Sequence, residues 1–517
     1  MESTNKEDAS HVSHAYDFSD SAGEERGISS LRRLFSFAQL LGFALTFMSS
    51  WEVMAMNMGA TFYNGGPQTL AWGIIAVVIG ALAQASSMAE LAAIQPIAGA
   101  QYHWTHLLAP ENHKRFITWM QGWVTWFAWV SALAGSTSSE ANILLGLVSV
   151  NYTDYVYHSW HLTLLIIAQL VVAGLINMYA FRTIPWIELL AGVMHVLLFI
   201  IFVVVLSVKT PAVSSSNFVF FEKSVFSGWE NSFVTWNIGL LVPAWGFIGF
   251  DGVVHMSEEV RKAKQAVPRA MIWTILINGL MAYGIILCLL FTMGNASVLH
   301  SSFPIIPICV NATGLKAGTA MVCGLLVITF CVVAASLASV SRITWAWARD
   351  GALPHYFAKI HPHHRVPIRS LWLPIIIVGI LSVLNVGSNS ATAFSAFTAL
   401  SSLGLYSSYI IAISCMLHAR LTGRIGDGPQ CSVRYGEWQL PRGWGTPINV
   451  FALLWTMYLT VWLPFPTTIP VTGRNMNYAG PIYVFVVVAA VMYWYSHGRK
   501  RWPGLNVTAI AMVEAER

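Results

Sequence analysis

An apolar segment at residues 232–257 is interrupted by the stretch Pro243-Ala244-Trp245-Gly246-Phe247-Ile248-Gly249-Phe250-Asp251-Gly252. Three glycines and one proline stand within these ten residues. Glycine weakens a helix by about 1 kcal/mol and proline by about 3 kcal/mol, so we predict a broken helix here. An earlier apolar segment at 36–57 contains Thr46-Phe47-Met48-Ser49-Ser50-Trp51-Glu52, which places small polar residues and an acid in its middle.

The composition is that of a membrane protein. Hydrophobic residues make up 56% of the 517 residues and charged residues only 10%, and the mean hydropathy is +0.60. Soluble domains carry about 25% charged residues, and disordered chains have low hydrophobicity, so both classes are excluded. A helix needs about 20 apolar residues to cross a bilayer, and we predict twelve spans. They lie near 36–57, 68–94, 116–148, 161–180, 185–208, 232–257, 270–293, 318–347, 371–386, 391–417, 446–465 and 479–497.

The distribution of basic residues predicts the orientation of these spans. With the amino terminus placed in the cytoplasm, 24 of the 28 lysine and arginine residues fall on the inner side, which satisfies the positive-inside rule. Both termini are therefore expected in the cytoplasm, with a disordered tail at 1–35, an inner loop at 418–445 and a second tail at 498–517. The basic residues do not cluster with stacking aromatics, so no nucleic acid is expected as a partner.

Glycosylation motifs agree with this orientation. Asn151, Asn295 and Asn311 each begin an Asn-x-Ser/Thr motif and fall on predicted outer loops, which indicates a glycoprotein of the secretory pathway. A fourth motif, at Asn506, falls in the inner tail.

The two interrupted segments are the first and the sixth predicted spans. Broken helices at corresponding positions of two halves indicate a transport site between inverted repeats. The alternative is that the small residues only let helices pack closely. Because there are two such segments, and each bears an acid, we favour the transport site.

Other function classes lack their signals. The sequence contains no Gly-x-x-x-x-Gly-Lys-Ser/Thr loop, which an ATP-driven pump would carry. An intramembrane enzyme would need clustered ligands inside a span, but the histidines at 355, 361, 363 and 364 lie in a polar loop. The six cysteines show no metal-ligand spacing, so we expect no metal, no cofactor and no enzyme activity. A transport-deficient nutrient sensor remains an alternative, although tails of about 35 and 20 residues are short for one.

Several motifs resemble one family of transporters. The stretch Trp245–Asp251 with Glu258-Glu259-Val260 and Pro268 resembles the sixth helix of the amino acid–polyamine–organocation (APC) superfamily. Further matches are Asn64-Gly65-Gly66-Pro67, Ala89-Glu90-Leu91, Pro96, Ala98–Trp104, Ser341-Arg342 and Ala348–Pro354. Together they resemble the fungal amino acid/choline transporter (ACT) branch over residues 36–500, which includes choline, 4-aminobutyrate and amino acid permeases.

This resemblance implies an all-α fold of two inverted five-helix repeats, here 36–210 and 211–417, with two additional helices at 446–497. It implies secondary transport of an amino acid, 4-aminobutyrate, choline or a related amine, with ion-coupled uptake. Export or import of an amine-containing metabolite is the alternative. The expected location is the plasma membrane, with an internal (vacuolar) membrane as the alternative.

The resemblance also implies where the substrate binds. Its carboxylate is expected at the interruption of the first span and its amine at the interruption of the sixth span, with Trp245 as an aromatic gate. Ser49 and Ser50 stand where the family's carboxylate-binding turn usually reads Gly-Ser-Gly. Their hydroxyls are therefore expected to replace some of the backbone contacts to the substrate. The expected substrate residues are Phe47, Met48, Ser49, Ser50, Trp51, Glu52, Trp245, Gly246, Phe247, Gly249 and Asp251.

The roles of two acids within the spans and the identity of the coupling ion each have two interpretations. A carboxylate inside a span marks function by default, but Glu52 and Asp251 are also placed to cap half-helices. Many relatives carry a lysine in the fifth helix, whereas residues 187–206 contain Glu188 and His195 instead. These two predict coupling to a proton, and Ser336 and Ser339 keep sodium as the alternative.

Tryptophans are numerous, and most are expected to anchor the protein at the membrane interface, as Trp119, Trp494 and Trp502 would. Only Trp51 and Trp245 are expected at the depth of the substrate.

Overall fold

The computed structural model describes residues 34–294, 296–387, 390–473, 475–506 and 511. The predicted tail at residues 1–33, the glycosylation motif at Asn295 and most of the second tail lie outside these residues. Within them the chain is helical, with three isolated β-bridges and no longer strand. The helices are α1 Phe37–Met48, α2 Ser50–Tyr63, α3 Pro67–Ile94, α4 Gln101–Leu108, α5 Lys114–Asn151, α6 Ser159–Tyr179, α7 Ile184–Lys209, α8 Ser216–Phe221, α9 Ser232–Gly239, α10 Leu241–Trp245, α11 Gly252–His255, α12 Ala263–Phe291, α13 Ile305–Thr313, α14 Leu315–Arg349, α15 Ile368–Ser382, α16 Leu384–Gly387, α17 Ser390–Leu421, α18 Gly445–Trp462, α19 Ala479–Tyr493 and α20 Arg499–Arg501.

Helices fall on all twelve predicted stretches. Among the described residues, eight helices are long and apolar enough to cross a membrane. The four stretches outside that set are the two interrupted ones and those of α5 and α18. Eight spans already make this a polytopic membrane protein, as the composition predicts.

Two helices are much longer than a bilayer requires. At about 1.5 Å per residue, the 38 residues of α5 and the 35 residues of α14 each exceed the roughly 30 Å of hydrocarbon. Such helices tilt in the bilayer or extend beyond it. The two helices pack against each other.

Helices α1 and α7 pack with their backbones in contact. A Cβ atom added at Gly192 would lie 3.0 Å from Gly42 Cα, and one added at Gly42 would lie 3.0 Å from Leu189 Cα. Only glycines allow this approach, which is the usual use of small residues between membrane helices. As a result, the polar residues of α7 lie directly beside the first interrupted helix.

Ion pairs join α14 to the chain that follows the interrupted helix of the sixth predicted span. Arg342 Nε lies 3.0 Å from Glu259 Oε1, and Arg349 contacts Glu258 at 3.2 Å. The Arg342 guanidinium also lies over the Phe181 ring, 4.2 Å from its centroid. The acids of the Glu258-Glu259 motif therefore fasten the chain after α11 to α14.

The prediction that Trp119, Trp494 and Trp502 are interface anchors is wrong. All three are buried, and the Trp119 ring lies 5.8 Å from Trp494 and 5.5 Å from Trp502. Trp502 Nε1 donates to Asp350 O at 2.7 Å. These rings pack on one another because the chain after α19 folds back against α5 and α14, an interaction that sequence position does not reveal.

Candidate functional site

The first interrupted helix breaks at one residue. α1 ends at Met48, Ser49 adopts φ +38° and ψ +45°, and α2 begins at Ser50. A left-handed conformation is uncommon for a residue other than glycine. The Ser49 hydroxyl compensates by donating to Thr46 O at 2.5 Å, the kind of local bond by which serine competes with helical hydrogen bonding. We call Ser49 the first-helix break.

The interrupted helix of the sixth predicted span breaks over six residues, 246–251, between α10 and α11. Within this sixth-helix break, Gly249 has φ +88°, and a Cβ atom there would lie 3.3 Å from the Trp129 ring. Only glycine accepts both this conformation and this contact. Both interruptions expected from the sequence are therefore present.

The two breaks touch each other. Ser50 Oγ donates to Gly246 O at 2.6 Å, which links the start of α2 to the sixth-helix break across 196 residues. The Ser50 N–H donates to Asn278 Oδ1 at 3.0 Å, and Asn278 Nδ2 donates to Leu45 O at 3.3 Å. Asn278 on α12 thus bridges the two sides of the first-helix break, a role that the sequence did not reveal. Its only signal is an amide within the seventh apolar stretch.

Within the part of the chain that the structure describes, unpaired backbone groups remain at both breaks. The first N–H groups of any helix lack intrahelical partners, and after Ser50 these belong to Trp51 and Glu52. In the sixth-helix break, the carbonyl oxygens of Phe247, Ile248 and Phe250 accept no hydrogen bond from the described residues. A bound molecule with an anionic and a cationic end fits such a pair of donors and acceptors.

Aromatic rings surround these groups. The Trp245 ring lies edge-on to Phe394, with centroids 5.7 Å apart, and Phe47 lies 5.4 Å from Trp129. The residues expected to bind substrate all lie on the two interrupted helices, and all are buried: Phe47, Met48, Ser49, Ser50, Trp51, Glu52, Trp245, Gly246, Phe247, Gly249 and Asp251. Phe394 and Trp129 were not singled out in the sequence because aromatic residues are common in every span.

Asp251 stands at the N-cap position of α11, as the capping alternative predicts, but its side chain accepts no hydrogen bond from the N–H groups of that helix. Its carboxylate accepts hydrogen bonds from Gln101 Nε2 and, at 2.5 Å, from the Tyr409 hydroxyl. The same hydroxyl accepts the Gly249 N–H at 3.2 Å. Asp251 therefore fastens the sixth-helix break to α4 and α17, and its charge is already engaged by donors from the protein.

Glu52 lies in the first turn of α2, but its carboxylate contacts a residue outside that helix. Its Oε1 lies 2.6 Å from His195 Nδ1 on α7. Trp51 also lies against α7, with its ring 5.7 Å from Phe202 and its Nε1 donating to His195 Nδ1 at 3.1 Å. The structure thus brings Trp51 to the fifth span, whereas Trp245 contacts the tenth.

The remaining coupling candidates lie around the same helices. Glu188 Oε2 accepts a hydrogen bond from Thr46 at 2.7 Å, three residues before the first-helix break. Ser339 Oγ donates to Gly252 O at 3.1 Å, and Ser336 is buried on the same helix, α14. The four candidates therefore divide into one pair on α7 beside the first helix and one pair on α14.

Comparison with known proteins identifies the family. The sequence model of the amino acid permease family matches residues 35–489. The chain is 28% identical to the choline transporter of Saccharomyces cerevisiae, over 92% of this chain and 83% of that protein. It is 29% identical to amino-acid permease 2 of Neurospora crassa, over 91% of this chain and 84% of the relative. It is 25% identical to the GABA-specific permease of Saccharomyces cerevisiae, over 92% of this chain and 83% of the relative. The chain therefore belongs to the amino acid permease family of membrane transporters.

Proposed function

We propose that this protein is a secondary active transporter that takes up an amino acid or a small organic amine by alternating access. The observation that carries the proposal is the contact between the two breaks, where Ser50 Oγ meets Gly246 O at 2.6 Å. Two interrupted helices in contact bring unpaired N–H groups and unpaired carbonyl groups to one place inside the protein. Relatives named for choline, amino acids and GABA support a substrate that carries an amine.

In the proposed mode of binding, the substrate lies between the two breaks. Its carboxylate, where it has one, accepts from the N–H groups of Trp51 and Glu52, which the partial positive charge of the helix start favours. Its ammonium group is held by carbonyl oxygens of the sixth-helix break and covered by Trp245, because an aromatic face attracts a cation. Movement of the repeats 36–210 and 211–417 against each other would expose this site to each side in turn.

An uptake panel tests this function. Cells that lack their own permeases would express the full chain and receive labelled choline, 4-aminobutyrate, neutral amino acids or a polyamine. We expect saturable uptake of at least one compound, with competition among chemically similar ones. Repeating the assay without a pH gradient and without sodium identifies the driving ion, which we propose is a proton. Surface-localised protein that transports none of the panel would contradict the proposed function.

Removing the Ser50 hydroxyl is expected to weaken substrate binding. In Ser50→Ala, the Gly246 carbonyl loses its donor, and the two breaks lose a hydrogen bond with a net value of about 0.5–1.5 kcal/mol. The apparent affinity in the uptake assay should therefore fall about two- to twelvefold. Ser149→Ala is the matched control, because among the described residues that hydroxyl bonds only to Leu145 O, within its own helix. Equal affinities for Ser50→Ala and the unmodified protein would contradict the role of this contact.

We further propose twelve spans with both termini in the cytoplasm, and probes that label cysteine test this arrangement. Thr153 and Gln430 are both exposed, on opposite sides in the proposed topology. In a variant whose six native cysteines are replaced by alanine, Thr153→Cys should react in intact cells. Gln430→Cys should react only after permeabilisation. The reverse pattern would overturn the topology.

We propose the plasma membrane as the location, with the vacuolar membrane as the alternative, which a fluorescent fusion distinguishes. Glycosylation is proposed at outer loops. Asn311 is exposed, whereas the Asn151 amide donates to Leu147 O at 2.9 Å and to Thr319 at 3.0 Å. Asn311 is therefore the better acceptor of these two.

A further inference from the structure

Basic residues gather at two connections between membrane helices. The connection between α6 and α7 has only four residues, 180–183, and Arg182 is one of them. The connection between α14 and α15 is longer, at residues 350–367. All four helices are long and apolar enough to span a membrane. A turn of four residues between two such helices lies at the level of the lipid headgroups, because the helices on both sides of it occupy the hydrocarbon.

The two connections touch each other. The ring of Tyr179, the last residue of α6, lies 5.7 Å from the ring of His364 in the longer connection. The next residue, Arg365, donates its backbone N–H to His361 O at 2.8 Å, which closes a tight turn. This turn brings Arg365 toward the connection that carries Arg182, so the basic residues of both connections lie on one side of the protein.

The positive charge of these connections is not balanced by acids. Residues 179–187 and 355–371 contain neither aspartate nor glutamate. The basic surface, as we call it, consists of Arg182, Lys359, Arg365 and Arg369. Among the residues that the structure describes, none of these four forms an ion pair. Three of the four side chains are exposed, and that of Arg369 is half-buried.

Exposed aromatic side chains accompany the basic surface. The Arg369 guanidinium lies over the Tyr356 ring, 4.2 Å from its centroid, and donates to Tyr356 O at 3.4 Å. Tyr179, Trp186 and Tyr356 are all exposed. Tyrosine and tryptophan are enriched where a membrane meets water, since one end of the side chain is apolar and the other is polar. The basic surface therefore combines unbalanced positive charge with aromatic rings at the depth of the headgroups.

The predicted inner loop at 418–445 is also basic, but its charges are balanced. Arg420 contacts Glu90, and Arg424 Nη2 lies 3.4 Å from Glu111 Oε1. The loop also contains acids of its own, at positions 427 and 437. Positive charge without neighbouring acids is therefore a property of the basic surface and not of every basic loop in this protein.

We propose that the basic surface binds the phosphate headgroups of anionic phospholipids in the cytoplasmic leaflet. The binding is independent of the transported substrate and rests on the proposed orientation, which places both connections in the cytoplasm. That leaflet is rich in anionic lipids, and each lysine or arginine near it increases the affinity about fivefold. A guanidinium group binds phosphate oxygens through two parallel N–H groups, whereas lysine acts as a point charge. The exposed histidines at 355, 363 and 364 add further N–H donors.

Binding of phosphatidylglycerol to the full-length protein tests this surface. This lipid is anionic and carries no amine, so it cannot be mistaken for a transported substrate. Native mass spectrometry in an uncharged detergent measures its affinity. Phosphatidylcholine serves as the lipid without net charge, and glycerol phosphate as a phosphate without acyl chains. We expect phosphatidylglycerol to bind about tenfold more tightly than either of them, or better.

Variants of the basic surface should weaken this binding. The double variant Lys359→Gln/Arg365→Gln is expected to lower the affinity for phosphatidylglycerol about tenfold or more, and Arg182→Gln about fivefold. The matched control is Arg434→Gln/Arg442→Gln, which removes two exposed arginines from the loop at 418–445 and should leave the affinity nearly unchanged. If thermal unfolding shows that the first double variant is unstable, Lys359→Gln alone replaces it, with an expected loss of about fivefold.

Three results would overturn the proposal. Equal affinities of the unmodified protein for phosphatidylglycerol and phosphatidylcholine would show that it does not recognise the charge of the headgroup. Glycerol phosphate that binds as tightly as phosphatidylglycerol would show a site for free phosphate and not for a lipid. Equal losses in the two double variants, or no loss in Arg182→Gln, would show that the two connections do not form one binding surface.

Discussion

Replacing Arg342 by methionine should lower the free energy of unfolding by about 3–5 kcal/mol. Arg342 and Glu259 are each only 1% exposed, and their Nε and Oε1 atoms lie 3.0 Å apart. Arg342→Met fills a similar volume but leaves the Glu259 carboxylate buried without its cation. The Phe181 ring also loses its contact with the guanidinium, which the substitution removes. Thermal unfolding of the detergent-solubilised protein measures the loss.

A double variant separates the orphaned charge from simple loss of packing. Arg342→Met combined with Glu259→Gln removes both charges, so much of the lost stability should return. Arg434→Met is the control, since Arg434 is exposed and its replacement should change the free energy of unfolding by about 0.5 kcal/mol or less. If the losses of stability measured for Arg342→Met alone and for Glu259→Gln alone simply add in the double variant, the ion pair is not the source of the stability.

Replacing Trp245 by leucine should reduce the apparent substrate affinity by up to about thirtyfold. Trp245 ends α10 directly before the sixth-helix break, and its side chain is 8% exposed. Its ring contacts Phe394 on α17 and faces Gly135 on α5, where an added Cβ atom would lie 3.4 Å from the ring. Trp245→Leu keeps apolar bulk and removes the aromatic face, which is worth about 0.5–2 kcal/mol near an ammonium group.

The concentration dependence of labelled substrate uptake measures this effect. Trp186→Leu is the matched control, because Trp186 is a tryptophan with 67% of its surface exposed on α7. That variant should keep the affinity of the unmodified protein. A Trp245→Leu protein that reaches the membrane and transports with unchanged affinity would show that Trp245 only fills space.

Much of the fold was predictable because its causes are local. A span requires a run of apolar residues, and basic flanks indicate its orientation, so composition alone predicts the helices. The interruptions are also local. Gly249 accepts a positive φ that other residues resist, and the Ser49 hydroxyl bonds to a carbonyl three residues earlier. The family motifs follow from the same local patterns.

The partners of the polar residues were not predictable, because they come from distant parts of the chain. Glu52 and Asp251 each look like a helix cap in the sequence. In the folded chain, Glu52 meets His195 across 143 residues, and Asp251 meets Tyr409 across 158 residues. Buried polar groups require hydrogen-bond partners, but many spans offer such groups and sequence does not show which one lies closest.

The sequence by itself therefore determined where the helices run, where two of them break and which family the chain resembles. Each depends on residues within a few positions of one another. Only the tertiary structure decided that Asn278 bridges the first-helix break, that tryptophans expected at the membrane interface are buried together, and that Glu52 lies against His195. These contacts depend on how helices pack, and a membrane helix can present any of its faces to its neighbours until the whole bundle is assembled.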